Sequence, residues 1–277
     1  MDLSPFRPPR VRVMGEPIDL VTCEDVIRFI GRKVQARQKA VIVNHNSHSL
    51  SLIRRHPEMR EFYDRADLIE VDSIPLVLWG RLTGQPISRA HRCTYLCWRD
   101  MFWDRANASA WRVFYLGGAP GVAEKAAERL RGSFPGAVIE TRHGYFDMMP
   151  GSAENEAVVR AIAAFRPDVV FCGMGMPRQE IWLQQNYDRL AAGVLMPVGA
   201  AFDYEAGVQR AAPRWVGSLG LEWAFRFAVN PKRLFHRYFV EPWGLLPLAV
   251  GDVAGAFLPP RRHPPTALGA PRSEARP

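Results

Sequence analysis

Short apolar runs rich in β-branched residues alternate with amphipathic stretches between residues 11 and 212. The runs suit strands, and the stretches between them carry apolar side chains at helical spacing. The runs are VRVMG, KAVIVNHN, DLIEVD, WRVFYLGG, AVIETRHGYF, DVVFCGMG and GVLMPVG. Strands that alternate with helices and are apolar on both sides form parallel sheets with helices on both faces. The pattern therefore predicts an α/β fold with a mainly parallel sheet.

The pattern changes towards both ends of the chain. Residues 1–10 are polar and proline-rich and are predicted to form a disordered arm, whereas residues 11–212 form the α/β core. Residues 213–258 read as helices that carry aromatic and arginine side chains, and they predict an appended unit. Residues 259–277 are rich in proline and polar residues, which predicts a disordered tail.

The chain of 277 residues is basic, with a formal net charge of +8 and a pI of about 9.7. The excess is concentrated between Arg210 and Arg237, where six basic residues accompany one acid, Glu222. Such a segment prefers anionic partners, which are nucleic acid, acidic lipid headgroups or phosphorylated substrates. No nucleic-acid-binding module is recognisable in the sequence, so we expect no nucleic-acid partner.

Cysteine usage and hydropathy indicate the compartment. Cys93 and Cys97 are four residues apart, but no second pair lies at zinc spacing, so neither a metal site nor a disulfide framework is expected. The N-terminus lacks the apolar region of a signal peptide. The apolar residues 239–258 include Glu241 and Asp252, so we interpret this segment as interfacial or packed rather than membrane-spanning. These features favour a reducing, cytoplasmic location.

Five predicted strands finish in glycine or in a hydrogen-bonding side chain. Ligands of open parallel sheets bind beyond the carboxyl ends of the strands, so the residues at these ends are candidate binding residues. They are Asn44, Asn46, Asp72, Gly117, Gly118, Gly173, Gly175, Gln179 and Asp203. The turn from Gly118 to Gly121 precedes a helix whose free N–H groups would suit a diphosphate, although a plain tight turn explains the same residues.

Each polar candidate also has a purely structural interpretation. Asp72 is either a general base or the N-cap of the helix that follows it. Gln179 either binds a ligand or satisfies a capping bond in the first turn of its helix. Asp203 either takes part in catalysis or caps or orients a loop. Arg178 and Glu180 are expected to be solvated or ion-paired.

Five blocks of the sequence carry a family resemblance. They are ADLIEVDSIPLVLWGRLTG, VFYLGGAPGVAEKAAERL, RPDVVFCGMGMPRQEIWL, PVGAAFDYEAGVQRAAPRWVGSLGLEWAFRF and NPKRLFHRY. Together they resemble the WecG/TagA/CpsF glycosyltransferase family, over roughly residues 11–240. The resemblance implies a Rossmann-like α/β fold and an inverting, metal-independent transfer, without a cofactor, from a UDP-sugar to a polyprenyl-diphosphate-linked sugar. Such products feed the synthesis of cell-surface polysaccharides.

The resemblance also implies roles for individual residues. Asp72 matches the proposed base of the family, and Gln179 matches a pocket glutamine. Asn46 matches the asparagine of the family's Thr-x-Asn motif, whereas Asn44 stands at the threonine position. The family's arginine block is altered here to SRAHRCTYL, which leaves two candidates for the pocket arginine, Arg89 and Arg92.

The resemblance implies that the appended unit engages the membrane. Its arginines are interleaved with aromatic residues and predict a cationic amphipathic surface. These arginines are Arg214, Arg226, Arg233 and Arg237. Such a surface binds an anionic lipid interface, or grips a lipid-linked diphosphate through bidentate contacts, with a solvated helical face as the alternative. We therefore expect a peripheral enzyme on the inner face of the cell membrane.

Two other classes of function fit parts of the sequence. A nucleotide-dependent oxidoreductase or epimerase would also use a Rossmann-like sheet, but the Gly-x-Gly-x-x-Gly spacing of dinucleotide sites is missing. A non-catalytic membrane adaptor would use only the basic aromatic segment.

Overall fold

A computed structural model describes residues 6–209, 212 and 222–257. Six strands form one parallel sheet in the order β4-β3-β8-β7-β5-β6, and β1 and β2 form a separate antiparallel hairpin. The strands are β1 Arg10–Val13, β2 Glu16–Asp19, β3 Ala40–His45, β4 Leu68–Val71, β5 Arg112–Gly117, β6 Val138–Arg142, β7 Val169–Gly173 and β8 Val194–Pro197. This architecture confirms the predicted α/β fold with a mainly parallel sheet.

Helices connect the strands and continue into the C-terminal region. They are α1 Cys23–Gln35, α2 Ser47–Leu52, α3 Pro57–Asp64, α4 Ile74–Leu82, α5 Tyr95–Ala108, α6 Val122–Ser133, α7 Ala153–Phe165, α8 Arg178–Asn186, α9 Ala201–Glu205, α10 Glu222–Val229, α11 Pro231–Phe235 and α12 Leu246–Phe257. A π-helical turn, His236–Val240, and a 3₁₀ turn, Glu241–Leu245, join α11 to α12. The predicted helical C-terminal region is thereby confirmed.

Two apolar cores, one on each face of the sheet, hold the helices in place. Val41 and Val43 of β3 belong to one core, whereas Ile42 between them belongs to the other. The first core includes residues of α2, α3, α4, α7 and α8, and the second includes residues of α1, α5, α6 and α9. Burial of one large apolar side chain contributes about 1.5–3 kcal/mol relative to exposure. Packing therefore fixes both faces of the sheet that carries the site.

The β1–β2 hairpin differs from the single strand that the sequence predicts. Met14 and Gly15 adopt φ values of 52° and 78° and form a two-residue turn. The buried carboxylate of Asp19 accepts hydrogen bonds from the Arg10 side chain at 2.6 Å and from the Ile69 backbone N–H at 2.8 Å. The hairpin is therefore attached to β4, the strand that precedes Asp72.

Residues 222–257 contact the core through two acidic side chains. Glu241 Oε2 lies 2.6 Å from His48 Nδ1 in α2. Asp252 accepts hydrogen bonds from the Trp79 indole N–H at 3.0 Å and from a backbone N–H of the β1–β2 turn at 2.6 Å. Two separate parts of this segment are thus fixed to the α/β core.

Most of the predicted domain boundaries lie next to residues that the structure does not describe. Residues 1–5, 213–221 and 258–277 lie outside the described residues, so the boundary at 212 and the disordered tail stay predictions. Within the predicted arm, Phe6 packs its ring 6.0 Å from that of Phe29, and Arg10 begins β1. Across the described ranges, none of the helices has the length and apolar content that crossing a membrane requires.

Candidate active site

The carboxyl ends of β3 and β4 place three of the predicted polar residues side by side. The two strands are parallel, with Asn44 opposite Glu70 and His45 opposite Val71. The backbone N–H of Asp72 donates to the His45 carbonyl at 3.1 Å, which extends the ladder one residue past β4. Because side chains alternate between the faces of a strand, Asn44, Asn46 and Asp72 project to one face.

Asp72 is half-buried and is held between an amide and arginines. The amide nitrogen of Asn46 lies 3.5 Å from Asp72 Oδ2, while the Asn46 side-chain oxygen caps α2. Burial raises the pKa of Asp72 above its ordinary value, and the positive charges of Arg226, Arg237 and Arg92 oppose that rise. The capping alternative for Asp72 is wrong, since the N-cap of α4 is Ser73. The side chain is thus available to accept a proton.

The structure places Arg92, of the two candidate arginines, beside Asp72. Its Nε donates to the backbone carbonyl of Asp72 at 2.9 Å, and Arg92 forms a bridge with Val71 at the end of β4. Arg89 lies in an exposed 3₁₀ turn, Arg89–His91. Arg92 is therefore the better candidate for the pocket arginine.

Two arginines of the appended unit also reach Asp72. Arg226 in α10 and Arg237 in the π-helical turn are half-buried, and both act electrostatically on the carboxylate. The Arg226 guanidinium lies 6.0 Å from the ring of Tyr204. Arg214 lies outside the described residues, and the side chain of Arg233 is likewise not described. Two of the four predicted arginines thus face the site rather than open solvent.

The strand-end glycines meet different surroundings. A Cβ added to Gly117 would stand 2.4 Å from the carbonyl oxygen of Gly173, and one added to Gly173 would stand 2.1 Å from the Tyr115 hydroxyl. Contact between neighbouring strands therefore explains these two glycines without a ligand. Gly175, with φ of +81°, would present its Cβ to open space.

Asp203, in α9, lies beside the β5–α6 turn and away from the β3–β4 pair. A Cβ on Gly118 would stand 3.7 Å from Asp203 Oδ1. The sheet order separates β5 from β3 by β8 and β7. The structure therefore distributes the predicted residues along the sheet edge rather than at one point.

Gln179 has its amide engaged with the protein. Its Oε1 accepts from the backbone N–H of Gly175 at 3.1 Å, and its Nε2 donates to Glu180 at 2.7 Å. Gln179 is buried and bonds the backbone ahead of α8, which has no side-chain cap at its N-terminus, and its role in ligand binding stays a prediction. Glu180 was expected to be solvated or ion-paired, but it is completely buried, and burial raises its pKa to about 7.

Sequence reasoning missed two residues behind the candidate site. The Tyr63 hydroxyl donates to the Asn44 carbonyl at 2.8 Å. Burial raises the pKa of Tyr63, and the negative charges of Glu180 and Asp72 act in the same direction. Glu70 is buried directly behind Asp72 on the same strand. The available signal for Glu70 was a lone acid inside the apolar run LIEV.

His45, the last residue of β3, has a structural partner. His45 is buried, burial lowers its pKa to about 4, and its Nδ1 lies 3.2 Å from the Ser49 hydroxyl. Among the residues that the structure describes, no group of three or more His, Cys, Asp or Glu side chains is arranged to hold a metal ion.

A half-buried carboxylate opposed by arginines, beyond the carboxyl ends of a parallel sheet, is typical of α/β enzymes that bind their ligands at that edge. Comparison with known proteins specifies the kind of enzyme. The model of the glycosyl transferase WecG/TagA/CpsF family matches residues 11–256. The chain belongs to this family, and it is a glycosyltransferase.

Curated relatives cover most of the chain. The N-acetylglucosaminyldiphosphoundecaprenol N-acetyl-beta-D-mannosaminyltransferase of Staphylococcus aureus strain NCTC 8325 is 29% identical over 229 residues, which are 81% of this chain and 87% of the relative. Proteins of the same name from strains COL and MW2 show the same identity and coverage. By their name, these relatives transfer N-acetylmannosamine to an N-acetylglucosaminyl-diphosphoundecaprenol.

Proposed function

We propose that this protein transfers a hexosyl group from a UDP-sugar to a sugar linked to polyprenyl diphosphate, with inversion and without a metal ion. The reaction would take place at an anionic membrane surface and would serve the synthesis of a cell-surface polysaccharide. The relatives, whose name specifies a lipid-diphosphate-linked acceptor, support this substrate class. The observation that carries the proposal is the half-buried Asp72 carboxylate facing Arg92, Arg226 and Arg237.

Asp72 supplies the base that an inverting transfer needs. Its carboxylate takes the proton of the acceptor hydroxyl while that oxygen attacks the anomeric carbon of the donor sugar. The bond from the anomeric carbon to the diphosphate oxygen breaks, and its electron pair leaves with UDP. A raised pKa makes Asp72 a stronger base than an exposed aspartate, and the Asn46 amide at 3.5 Å orients it.

The arginines are suited to the diphosphates of both substrates. Negative charge develops on the departing UDP, and guanidinium groups stabilise such charge in a site that excludes water. The lipid-linked acceptor carries a second diphosphate, which suits Arg226 and Arg237 because they come from the appended unit. This arrangement favours a transferase over the oxidoreductase or epimerase hypothesis.

The exposed side chains of residues 222–257 suit a lipid interface. The large apolar side chains include Trp243, which is 69% exposed, and Val250, which is 66% exposed. Leu246 and Phe239 are exposed beside them. Aromatic and aliphatic side chains of this kind insert at the boundary between headgroups and acyl chains. They support a peripheral position at the membrane, where the acceptor is anchored.

The decisive experiment is an Asp72→Asn variant assayed with a UDP-sugar donor and an N-acetylglucosaminyl-diphospho-polyprenol acceptor. We expect loss of transfer by about 10²–10⁴-fold, because the variant lacks the base. Since burial raises the pKa of Asp72, its charged form destabilises the fold at neutral pH, and the variant should keep or raise Tm. Transfer at the wild-type rate would remove Asp72 from the mechanism.

The donor is found by thermal stabilisation with a panel of UDP-sugars, UDP-N-acetylmannosamine first. A ligand that binds the folded state alone raises the apparent stability by mass action. For the Asp72→Asn experiment, the matched control for loss of charge is Asp104→Asn, which changes an exposed aspartate on α5. A wild-type protein that neither binds nor uses any UDP-sugar would contradict the proposed donor class.

A further inference from the structure

β3 and β4 carry two asparagine–acid pairs, one behind the other. Asn46 and Asp72 form the outer pair at the edge of the sheet, with 3.5 Å between the amide nitrogen and the carboxylate. Asn44 and Glu70 are register partners one step further into the sheet. Register partners on parallel strands project to the same face, so Glu70 and Asn44 lie side by side behind the outer pair.

The inner pair has two oxygens that lack donors. Glu70 is 1% exposed, and its Oε1 has no hydrogen-bond partner among the described residues. The Oδ1 of Asn44 is buried and lacks a partner within the same part of the chain. A buried acceptor without a donor is unfavourable, because it gives up its hydrogen bonds to water and gains none in the protein. A single proton on Glu70 would turn one of these two acceptors into a donor for the other.

The charges around Glu70 favour that proton. Burial raises the pKa of Glu70 to about 8, and the negative charge of Asp72 and the thiol of Cys97 in α5 act in the same direction. Cys23 in α1 is the other titratable group coupled to Glu70. The arginines that act on Asp72 are not among the groups that shift Glu70 within the described chain.

We propose that Glu70 is a positioning residue that carries a proton in the resting enzyme, donates it to Asn44 Oδ1, and leaves Asp72 as the single anion opposite the arginines. The proposal rests on the proposed function, in which Asp72 is the base. Loss of the proton to solvent would place a second negative charge on the same face of the sheet. The arginines would then neutralise two carboxylates, and the Asn44 carbonyl would lose its donor.

The proposal predicts a pH dependence with a definite sign. The folded-state pKa of Glu70 lies above its ordinary value near 4.5, so the folded state binds more protons between these two values. Wild-type stability should therefore fall as the pH rises from about 5 to about 8. For the reaction, kcat/KM should decline on the alkaline side and lie about tenfold below its plateau at pH 9, as for one ionisation.

The test compares wild type with Glu70→Gln, which keeps the shape and provides a permanent N–H donor to Asn44. We expect this variant to show a smaller fall in Tm from pH 5 to pH 8, because only the contributions of Glu180 and Asp72 remain, and to lose the alkaline decline of kcat/KM. Glu70→Leu, which has no donor, should show the same smaller fall in Tm but transfer more slowly than Glu70→Gln across the pH range. Glu128→Gln, at an exposed position on α6, controls for the change of charge and should leave both profiles unchanged.

Two outcomes would overturn the inference. Superimposable pH profiles of kcat/KM for wild type and Glu70→Gln would show that Glu70 does not control the site. Equal Tm profiles would show that Glu70 is ionised at neutral pH, with the Asn44 amide turned to donate to it. Absence of transfer by the wild type would instead contradict the proposed function, and the Tm profiles would still report whether Glu70 holds its proton.

Discussion

At the scale of single residues, the position of a charge within the sheet decides its role. Asp72 and Glu70 are two residues apart on one strand and project to the same face. Asp72 faces three arginines, whereas Glu70 faces another carboxylate and two thiols. Two chemically similar side chains are thus given different proton affinities by their neighbours.

Arg92 offers a test at this scale. Its charge lowers the pKa of Asp72, so Arg92→Gln should raise that pKa and move the acidic limb of the kcat/KM profile to higher pH. Loss of one cation from the site should also reduce kcat/KM by about 10²-fold at neutral pH. The measurement is the pH profile of transfer, with Arg89→Gln as the matched control. An effect of Arg89→Gln equal to that of Arg92→Gln would contradict the assignment.

The residues of the site differ in how far the sequence could predict them. Asn44, Asn46 and Asp72 were predictable because each follows or ends an apolar run, and strand ends share one edge of a parallel sheet. Glu70 was not, because its burial depends on β4 being covered by helices of the second core. The engagement of Gln179 with Glu180 also depends on local packing that the pattern of residues does not show.

At the scale of elements, the sheet requires glycine where its strands come closest. Gly117 and Gly173 occupy paired positions on β5 and β7. A Cβ on Gly117 would overlap the backbone of Gly173, and one on Gly173 would overlap the Tyr115 hydroxyl and the Gly199 carbonyl. From the sequence, these glycines are candidate binding residues at the strand ends, whereas the structure explains them by close contact with neighbouring residues. The fold therefore requires both glycines whether or not a ligand binds at this edge of the sheet.

Gly173→Ala should therefore act mainly on stability. The added methyl group would stand 2.1 Å from the Tyr115 hydroxyl and 2.5 Å from the Gly199 carbonyl, so we expect a loss of about 1–3 kcal/mol in the free energy of unfolding. Gly132→Ala, at a helical position with open space, should stabilise by about 0.5–1 kcal/mol. Denaturant titration measures both. Equal stability of the two variants would contradict the explanation by strand contact.

The hairpin shows where pattern reasoning fails for an element. β2 reads EPID, in which a proline and two acids hide the alternation of a strand. Its stability comes from Asp19, which is bonded to Arg10 and to β4. The central parallel strands were predictable because they are mostly apolar, whereas this strand carries a single buried apolar side chain, Ile18, beside the buried carboxylate of Asp19.

At the scale of the whole molecule, the appended unit brings two different surfaces to the core. Arg226 and Arg237 act on Asp72, whereas Trp243 and Val250 are exposed. The sequence predicts a single cationic and aromatic surface. The contacts made by Glu241 and Asp252 span about 190 and 170 residues of sequence, so local patterns could not reveal them.

Trp243→Ala should weaken the association with vesicles of acidic phospholipid. Loss of one large apolar contact removes about 1.5–3 kcal/mol, which corresponds to roughly a tenfold or greater reduction in partitioning. Co-sedimentation at low and high salt measures the effect, and transfer to a short-chain, soluble acceptor should be retained. The control is Val208→Ala, which changes an exposed apolar residue outside residues 222–257. Unchanged partitioning of Trp243→Ala would contradict this membrane-facing surface.

The contact between Glu241 and His48 has a consequence for the charge of Asp72, because it fixes the segment that carries Arg226 and Arg237. Two of the three positive charges that oppose the rise in the Asp72 pKa come from residues 222–257. Residues 222–257 therefore favour the charged carboxylate of Asp72, which is the form that accepts a proton.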